Sequence, residues 1–294
     1  MSENTMVLGF AEYEQQGKAL AQALALDYEQ VDIHHFPDGE SKIRLPVNLP
    51  EKLIVCRSLN QPNEKLIELI LVAASARKHG VKQLILVVPY LCYMRQDIEF
   101  HPGEVVSQKI IGKMLADYFD GVVTVDSHLH RINHLSEAVP LDMAINLTAT
   151  QPMAEFLSEQ MDSPFLLGPD GESRQWVSAI AQHQGLDFAV ATKQRFGDRD
   201  VRITLPDADF AGRHIVLVDD VASSGRTLEV AAQLLQPFKP ASISVLVTHA
   251  LFIGDAIERL QKLGVENIWS CDSVPHKTNR ISLANLLAAS LRSL

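Results

Sequence analysis

Cysteine is scarce in this 294-residue sequence: Cys56, Cys92 and Cys271 are all it has. Three widely spaced thiols form neither the even-numbered framework of a disulfide-stapled domain nor the paired spacing of a zinc knuckle. Basic charge is also short, with 26 Lys and Arg against 36 Asp and Glu and a formal net charge of -10. That balance argues against nucleic acid as the main partner, because phosphate backbones are held by clustered Lys and Arg. It leaves room for a single nucleotide held locally. No apolar run approaches the roughly 20 residues that span a bilayer, and the opening MSENTMVLGF has no basic segment leading into an apolar core. A cytoplasmic protein without a membrane partner is expected. Linker-like low-complexity stretches are missing too, as are the Gly-x-x-x-x-Gly-Lys-Ser/Thr nucleotide loop and the Gly-x-Gly-x-x-Gly dinucleotide turn. What remains is an ordinary globular composition, 47% hydrophobic and 21% charged, on a chain long enough for two domains.

Apolar strands alternate with helical patterns along almost the whole length. KLIVCRSL (52–59), a helix over Asn63–His79, KQLILVVPYL (82–91), a helix over Val105–Asp120 and GVVTVD (121–126) set the rhythm. This order predicts an α/β fold of parallel sheets with crossover helices. Within it lies a faint repeat, in which LIVCRSLNQPNEKLIELILVAASARKHGVKQLILVVPY parallels HIVLVDDVASSGRTLEVAAQLLQPFKPASISVLVTHA as strand, loop, helix, strand. The first copy lacks the acids and the loop glycine of the second. Two related domains follow from this, residues 1–147 and 148–294, divided near Ile145–Pro152.

The second copy contains VLVDDVASSGRTL (216–228), where an apolar strand ends in Asp219-Asp220 and Leu228, Val230, Ala231, Leu234 and Leu235 then recur at helical spacing. Ser223, Ser224, Gly225 and Thr227 thereby place hydroxyls and backbone N–H groups at a helix N-terminus, where the helix dipole favours an anion such as phosphate. Asp or Ser before a helix can also be a plain cap, but two acids and a Ser-Ser-Gly-x-Thr loop exceed what capping needs. Adjacent carboxylates would repel the phosphate, so they face sugar hydroxyls or a divalent cation. A sugar phosphate satisfies both halves. In open α/β sheets such a ligand lies at the carboxyl ends of the strands.

Other strand ends carry polar clusters: Arg95, Gln96 and Asp97 in PYLCYMRQD, Asp126, His128 and His130 in GVVTVDSHLH, and Asp170 in PFLLGPDGES. His128, His130 and His134 read either as metal ligands or, more simply, as polar surface at a strand end. Lys193 and Arg195 in ATKQRFGDRDVRI alternate, which puts them on one face of an extended segment; as ordinary loop charges they would be solvated.

Taken together, HFPDGES, PYLCYMRQD, VTVDSHLH, LLGPD, TKQR and VLVDDVASSGRTL resemble, in order and spacing over nearly the whole chain, the ribose-phosphate diphosphokinase family, the synthetases of 5-phosphoribosyl 1-diphosphate. The resemblance implies two tandem phosphoribosyltransferase-like domains, with parallel sheets flanked by helices, of which only the second keeps the phosphate loop. It implies Mg2+-dependent transfer of the diphosphoryl group of ATP to the anomeric hydroxyl of ribose 5-phosphate, a reaction of nucleotide biosynthesis that releases AMP. Ser223, Ser224, Gly225, Arg226 and Thr227 match the loop on the 5-phosphate, and Asp219 and Asp220 the acids on the ribose hydroxyls. Arg95 and Gln96 match residues on the ATP phosphates. Phe36, Asp38 and Glu40 match a loop that receives adenine from a neighbouring subunit, which implies a homo-oligomer with a shared ATP site. His128 matches a catalytic and metal-site histidine, Asp170 the acid at the second Mg2+ and ribose position, and Lys193 with Arg195 the mobile catalytic pair.

Three departures from the family pattern stand out. Ser223 occupies a usually acidic position, Arg226 a usual glycine, and IEFHPGEVV (98–106) replaces a basic run linked to phosphate activation and nucleotide inhibition. The chain thus resembles the less regulated branch. Arg226 either adds a phosphate contact or points to solvent. Rival functions share parts of this pattern. A type I phosphoribosyltransferase needs neither the first domain nor RQD, and a silent regulatory homologue would be expected to lose Lys193, Arg195 or His128. A kinase of a related sugar phosphate would release ADP rather than AMP.

Overall fold

The computed structural model describes residues 4–129, 131–195 and 201–292, without the side chains of 193–195 and 201–202. It divides into two compact units, Met1–Thr148 with Ala284–Leu294, and Ala149–Leu283.

In the first unit the chain runs β1 (Thr5–Gly9), α1 (Glu14–Leu24), β2 (Asp27–Gln30), β3 (Asp32–His35), β4 (Ser41–Arg44), β5 (Lys52–Cys56), α2 (Pro62–Lys78), β6 (Gln83–Val87), α3 (Ser107–Tyr118), β7 (Gly121–Val125) and β8 (Met143–Leu147). Six strands form one sheet in the order β2-β1-β5-β6-β7-β8, every neighbouring pair parallel. The central strands are unbroken apolar runs, as sheets covered on both faces require; Val7, Leu8, Leu53, Ile54, Val55, Leu84, Ile85, Leu86, Val122 and Val123 are all fully buried. β3 and β4 stand apart as an antiparallel ribbon.

The second unit repeats this plan: α4 (Thr150–Gln160), β9 (Phe165–Gly168), α5 (Arg174–Gln184), β10 (Phe188–Val190), β11 (Thr192–Arg195), β12 (Val201–Thr204), β13 (His214–Ala222), α6 (Arg226–Leu235), β14 (Ser242–Ala250), α7 (Ala256–Lys262), β15 (Val265–Cys271) and β16 (Asn279–Ile281). Its sheet is parallel throughout in the order β10-β9-β13-β14-β15-β16, and β11 and β12 form an antiparallel ribbon. The repeat legible in β5-α2-β6 and β13-α6-β14 therefore extends to sheet order and ribbon. Register makes it residue-specific. Gly9 pairs with Gln30 and Leu8 lies in line with Val55, just as Gly168 pairs with Val190 and Leu167 with Leu217. Counting onward sets Arg57 where the second unit has Asp219, Ser58 where it has Asp220, and Ala11 where it has Asp170.

Two boundaries differ from expectation. The last helix, α8 (Ala284–Arg292), buries its stripe of Leu287, Ala288 and Leu291 in the first unit, packing on α1, whereas a division at 147/148 assigns it to the second. β13 does not stop at the twin acids but runs on to Ala222, because β14 stays alongside it through Val247, His249 and Ala250.

Candidate functional site

In the second unit, β13 delivers Asp219 and Asp220 at its carboxyl end, and the turn 223–225 leads straight into α6. Gly225 caps the helix at φ +71°, a left-handed conformation that side chains other than glycine's resist, and an added Cβ would lie 3.2 Å from that of Ala256.

The loop's carbonyls are all turned into the protein. Leu251 and Phe252 N–H donate to the Ala222 carbonyl at 3.0 and 2.9 Å, and Ile253 N–H to the Ser223 carbonyl at 2.9 Å. Arg259 donates to the Ser224 carbonyl at 2.8 Å, to Glu229 at 3.1 Å and to Asp255. The Gly225 carbonyl accepts from Glu229 N–H at 2.9 Å. The N–H groups of Ser223, Ser224, Gly225, Thr227 and Leu228, by contrast, have no acceptor among the described residues. A chain whose carbonyls are fixed inward and whose amides are left over at a helix N-terminus has the geometry that suits an anion. Arg259, Glu229 and the 251–253 segment are the residues that sequence reasoning missed. No local pattern signals Arg259 or the 251–253 segment, which lie 29 to 35 positions from the carbonyls they meet, and Glu229 reads as an ordinary helical acid until Arg259 is seen beside it.

Arg226 goes to neither of its two anticipated places cleanly. Its guanidinium is 69% exposed yet paired with Glu229 at 2.7 Å, one turn along the helix.

Next to β13, β9 leads into Asp170, which is buried and accepts from Glu172 N–H at 3.1 Å. Asp220 is likewise buried and accepts from Val221 N–H at 2.8 Å. Burial, then the negative charges of Asp220 and Asp170, push the Asp219 carboxyl well above the usual range. Three carboxyl groups thus crowd one sheet end, a set of oxygen donors of the kind Mg2+ takes. The sign of the resulting pH dependence follows from linkage. Because the folded-state value is raised, holding Asp219 costs nothing below its ordinary range, and the cost grows as pH rises through the raised value. Asp219→Asn is accordingly expected to raise the melting temperature by about 2–4 °C at alkaline pH, equivalent to about 1 kcal/mol, and by less at acid pH. A lower melting temperature at alkaline pH would contradict the repulsion.

Apart from Lys193 and Arg195, the remaining candidates lie in the first unit. Phe36, Asp38 and Glu40 form the exposed turn of the β3–β4 ribbon, closed by Phe36 N–H to the Glu40 carbonyl at 2.8 Å and Glu40 N–H to Asp38 at 3.2 Å. Arg95 is exposed and unpaired among the described residues. Gln96 donates to the Ile98 carbonyl at 3.0 Å and to Glu104 at 3.1 Å, so the segment that replaces the family's basic run is held by its own acid. Asp97 is buried and takes Arg131 at 2.7 Å. His128 follows β7, beyond a buried Asp126 at φ +41°. Of the three histidines considered as metal ligands, His130 lies outside the described residues and His134 caps a short turn with Glu137. Lys193 and Arg195 sit on the extended backbone of β11, as alternate spacing requires; their side chains lie outside the described residues.

At the matching place in the first unit this arrangement is absent among the described residues. Arg57 replaces the acid, stacks 3.9 Å over Phe10 and pairs with Glu12 at 2.7 Å and buried Glu68 at 2.5 Å. Lys65 donates to the Ser58 carbonyl and Asn60 side chain, each at 2.8 Å, and Pro62 at the helix start has no N–H to offer.

Residues 5–118 match the N-terminal domain of ribose phosphate pyrophosphokinase, and residues 146–281 match the phosphoribosyl transferase domain. A ribose-phosphate pyrophosphokinase of Methanopyrus kandleri is 32% identical over 98% of this chain and 99% of its own. One from Pyrococcus furiosus is 32% identical over 86% and 89%. The crystal structure of phosphoribosylpyrophosphate synthetase from Mycobacterium smegmatis has the same fold, with a TM-score of 0.84 at 21% identity, covering 99% of this chain and 98% of that one. No helix among the described residues is long and apolar enough to cross a membrane. Two family domains in order, full-length relatives and a shared fold establish that the chain is an enzyme, a transferase, of the ribose-phosphate pyrophosphokinase family.

Proposed function

We propose that the enzyme transfers the diphosphoryl group of ATP to the anomeric hydroxyl of ribose 5-phosphate, giving 5-phosphoribosyl 1-diphosphate and AMP. One observation carries this reading: the unpaired amides of the 223–228 turn lie directly beyond Asp219 and Asp220 on the same strand. The amides suit a phosphate and the acids suit the hydroxyls of the sugar that bears it. Names of the full-length relatives point the same way.

In this reading Ser223, Ser224, Gly225 and Thr227 hold the 5-phosphate, while Arg226, engaged by Glu229, adds positive potential at the rim. Asp219 and Asp220 orient the ribose, with Asp170 beside them. Mg2+ would be held beside His128 and, at a second position, by Asp170, and would supply charge neutralisation to the polyphosphate. Arg95 and Gln96 face the ATP phosphates, and Phe36, Asp38 and Glu40 take the adenine of a neighbouring subunit in a homo-oligomer. As the anomeric oxygen attacks the β-phosphorus, negative charge gathers on the moving group, which Lys193 and Arg195 neutralise. IEFHPGEVV (98–106) in place of a basic run supports the less regulated branch, and the location we propose is the cytoplasm.

Mixing the protein with Mg-ATP and ribose 5-phosphate and resolving the nucleotide products tests the reaction. AMP in step with a new diphosphate ester is expected; ADP, or no turnover, overturns it. Asp220→Asn is expected to weaken ribose 5-phosphate about 10- to 100-fold, the worth of a charged hydrogen bond, with ATP affinity nearly unchanged in calorimetry. Equal weakening of both ligands would remove Asp220 from the sugar.

A further inference from the structure

We propose that His35, Glu64 and Glu68 of the first unit form a binding site for one divalent first-row transition-metal ion, separate from any Mg2+ that accompanies ATP. His35 closes β3, and the two acids lie one turn apart on α2. The imidazole Nε2 is 3.0 Å from Glu64 Oε1 and 2.9 Å from Glu68 Oε1. All three ligand atoms lie within 4.8 Å of one another, which among the described residues no other group of three His, Cys, Asp or Glu side chains achieves. Donors that each sit about 2.0–2.2 Å from one ion are themselves about 3 Å apart, so these separations are those of neighbours in one coordination sphere.

The surroundings are those a metal site needs. Carboxylates at i and i+4 on one helix repel each other, and here they converge on a single nitrogen, which calls for positive charge between them. Glu68 is 2% exposed, and its orientation is fixed by Arg57 on Oε2 at 2.5 Å and Ser41 on Oε1 at 2.8 Å. Such outer hydrogen bonds are what hold ligating carboxylates in place. His35 and Glu64 are 53% and 59% exposed, which provides an entry path and room for water to complete the sphere. One imidazole with two carboxylates suits Zn2+, Co2+, Mn2+ or Fe2+; Mg2+ prefers oxygen and keeps its waters.

A proton is the rival occupant. The hydrogen bond to Glu68, then the charges of Glu64 and Glu68, hold the His35 imidazolium above its usual range, with burial and Arg57 opposing. Metal and proton compete for the same nitrogen. A bound ion would pin the base of the ribbon that carries Phe36, Asp38 and Glu40. The site itself does not depend on the reaction proposed above, since none of its three ligands is among the residues assigned to ATP, ribose 5-phosphate or Mg2+.

The test is calorimetric titration of the full chain with Co2+ or Zn2+ at neutral pH in excess Mg2+, with folding of each variant checked by thermal melting. Binding of one ion per chain is expected, weakened about tenfold or more by His35→Ala and by Glu64→Gln, both exposed positions, and unchanged by Asp170→Asn. Absence of binding would leave the cluster as a proton bridge alone and overturn the proposal. So would binding that both first-unit variants retain, or that Asp170→Asn abolishes.

Discussion

Lys193→Ala is expected to lower turnover by about 10²–10³ while leaving the affinity for ribose 5-phosphate almost unchanged. In diphosphoryl transfer the protein has little covalent chemistry to perform, and its contribution is to position reactants and neutralise developing charge. A preorganised donor aimed at that charge is commonly worth about 2.7–4 kcal/mol in the transition state, which is the stated loss in rate. Lys193 and Arg195 alternate along β11, an extended strand of an antiparallel ribbon anchored to β12 through pairs such as Lys193–Ile203 and Arg195–Val201. That ribbon occupies the place in the second unit that β3 and β4 hold in the first. Steady-state kinetics at saturating ATP, alongside calorimetry with ribose 5-phosphate, separates the two quantities. Turnover near that of the unaltered enzyme would remove Lys193 from the mechanism. A fall in sugar affinity matching the fall in rate would reassign it to ground-state binding.

Arg57→Ala is expected to be the most destabilising single change, costing about 3–5 kcal/mol, the usual penalty for breaking a buried ion pair from one side. The substitution strips Glu68 of its closest partner and Glu12 of its guanidinium, and removes a cation from the face of Phe10. For a unit of this size the loss amounts to about 10 °C or more in melting temperature. Changing Glu68 to Leu in the same protein should restore much of it, because the uncompensated charge goes with it and the two sites are coupled. Thermal melting of the two single variants and the double variant decides the matter. A double variant no more stable than Arg57→Ala would contradict the idea that an orphaned carboxylate is the source of the cost.

The paired units and the strand–turn–helix that ends in the 223–225 turn were legible in the sequence because both are local. A buried parallel strand is a run such as IVLV, and the shift from that run to Asp-Asp, then Ser-Ser-Gly, then helical spacing is written in consecutive residues. The strand's true end at Ala222 was not, since two acids look like a terminus and only the long partner β14 shows that the ladder continues. The contacts that turn the loop's carbonyls inward were equally hidden. Arg259 reaches Ser224 across 35 positions, and the 251–253 amides reach back to Ala222 and Ser223. The same holds for Arg57, which meets Glu12 across 45 positions, so that the first unit reads as a degenerate copy without any hint of what fills the space. The placement of α8 rests on an apolar stripe that is as visible as any other, but nothing in its own residues names the unit that buries it.

The loop's role is tested most directly by calorimetry comparing ribose 5-phosphate with unphosphorylated ribose, without nucleotide. If the 223–228 amides hold a phosphate, ribose 5-phosphate binds and ribose gives no measurable heat at the same concentration, with Gly225→Val abolishing the difference. Ribose binding as tightly as its 5-phosphate would contradict the assignment of that turn.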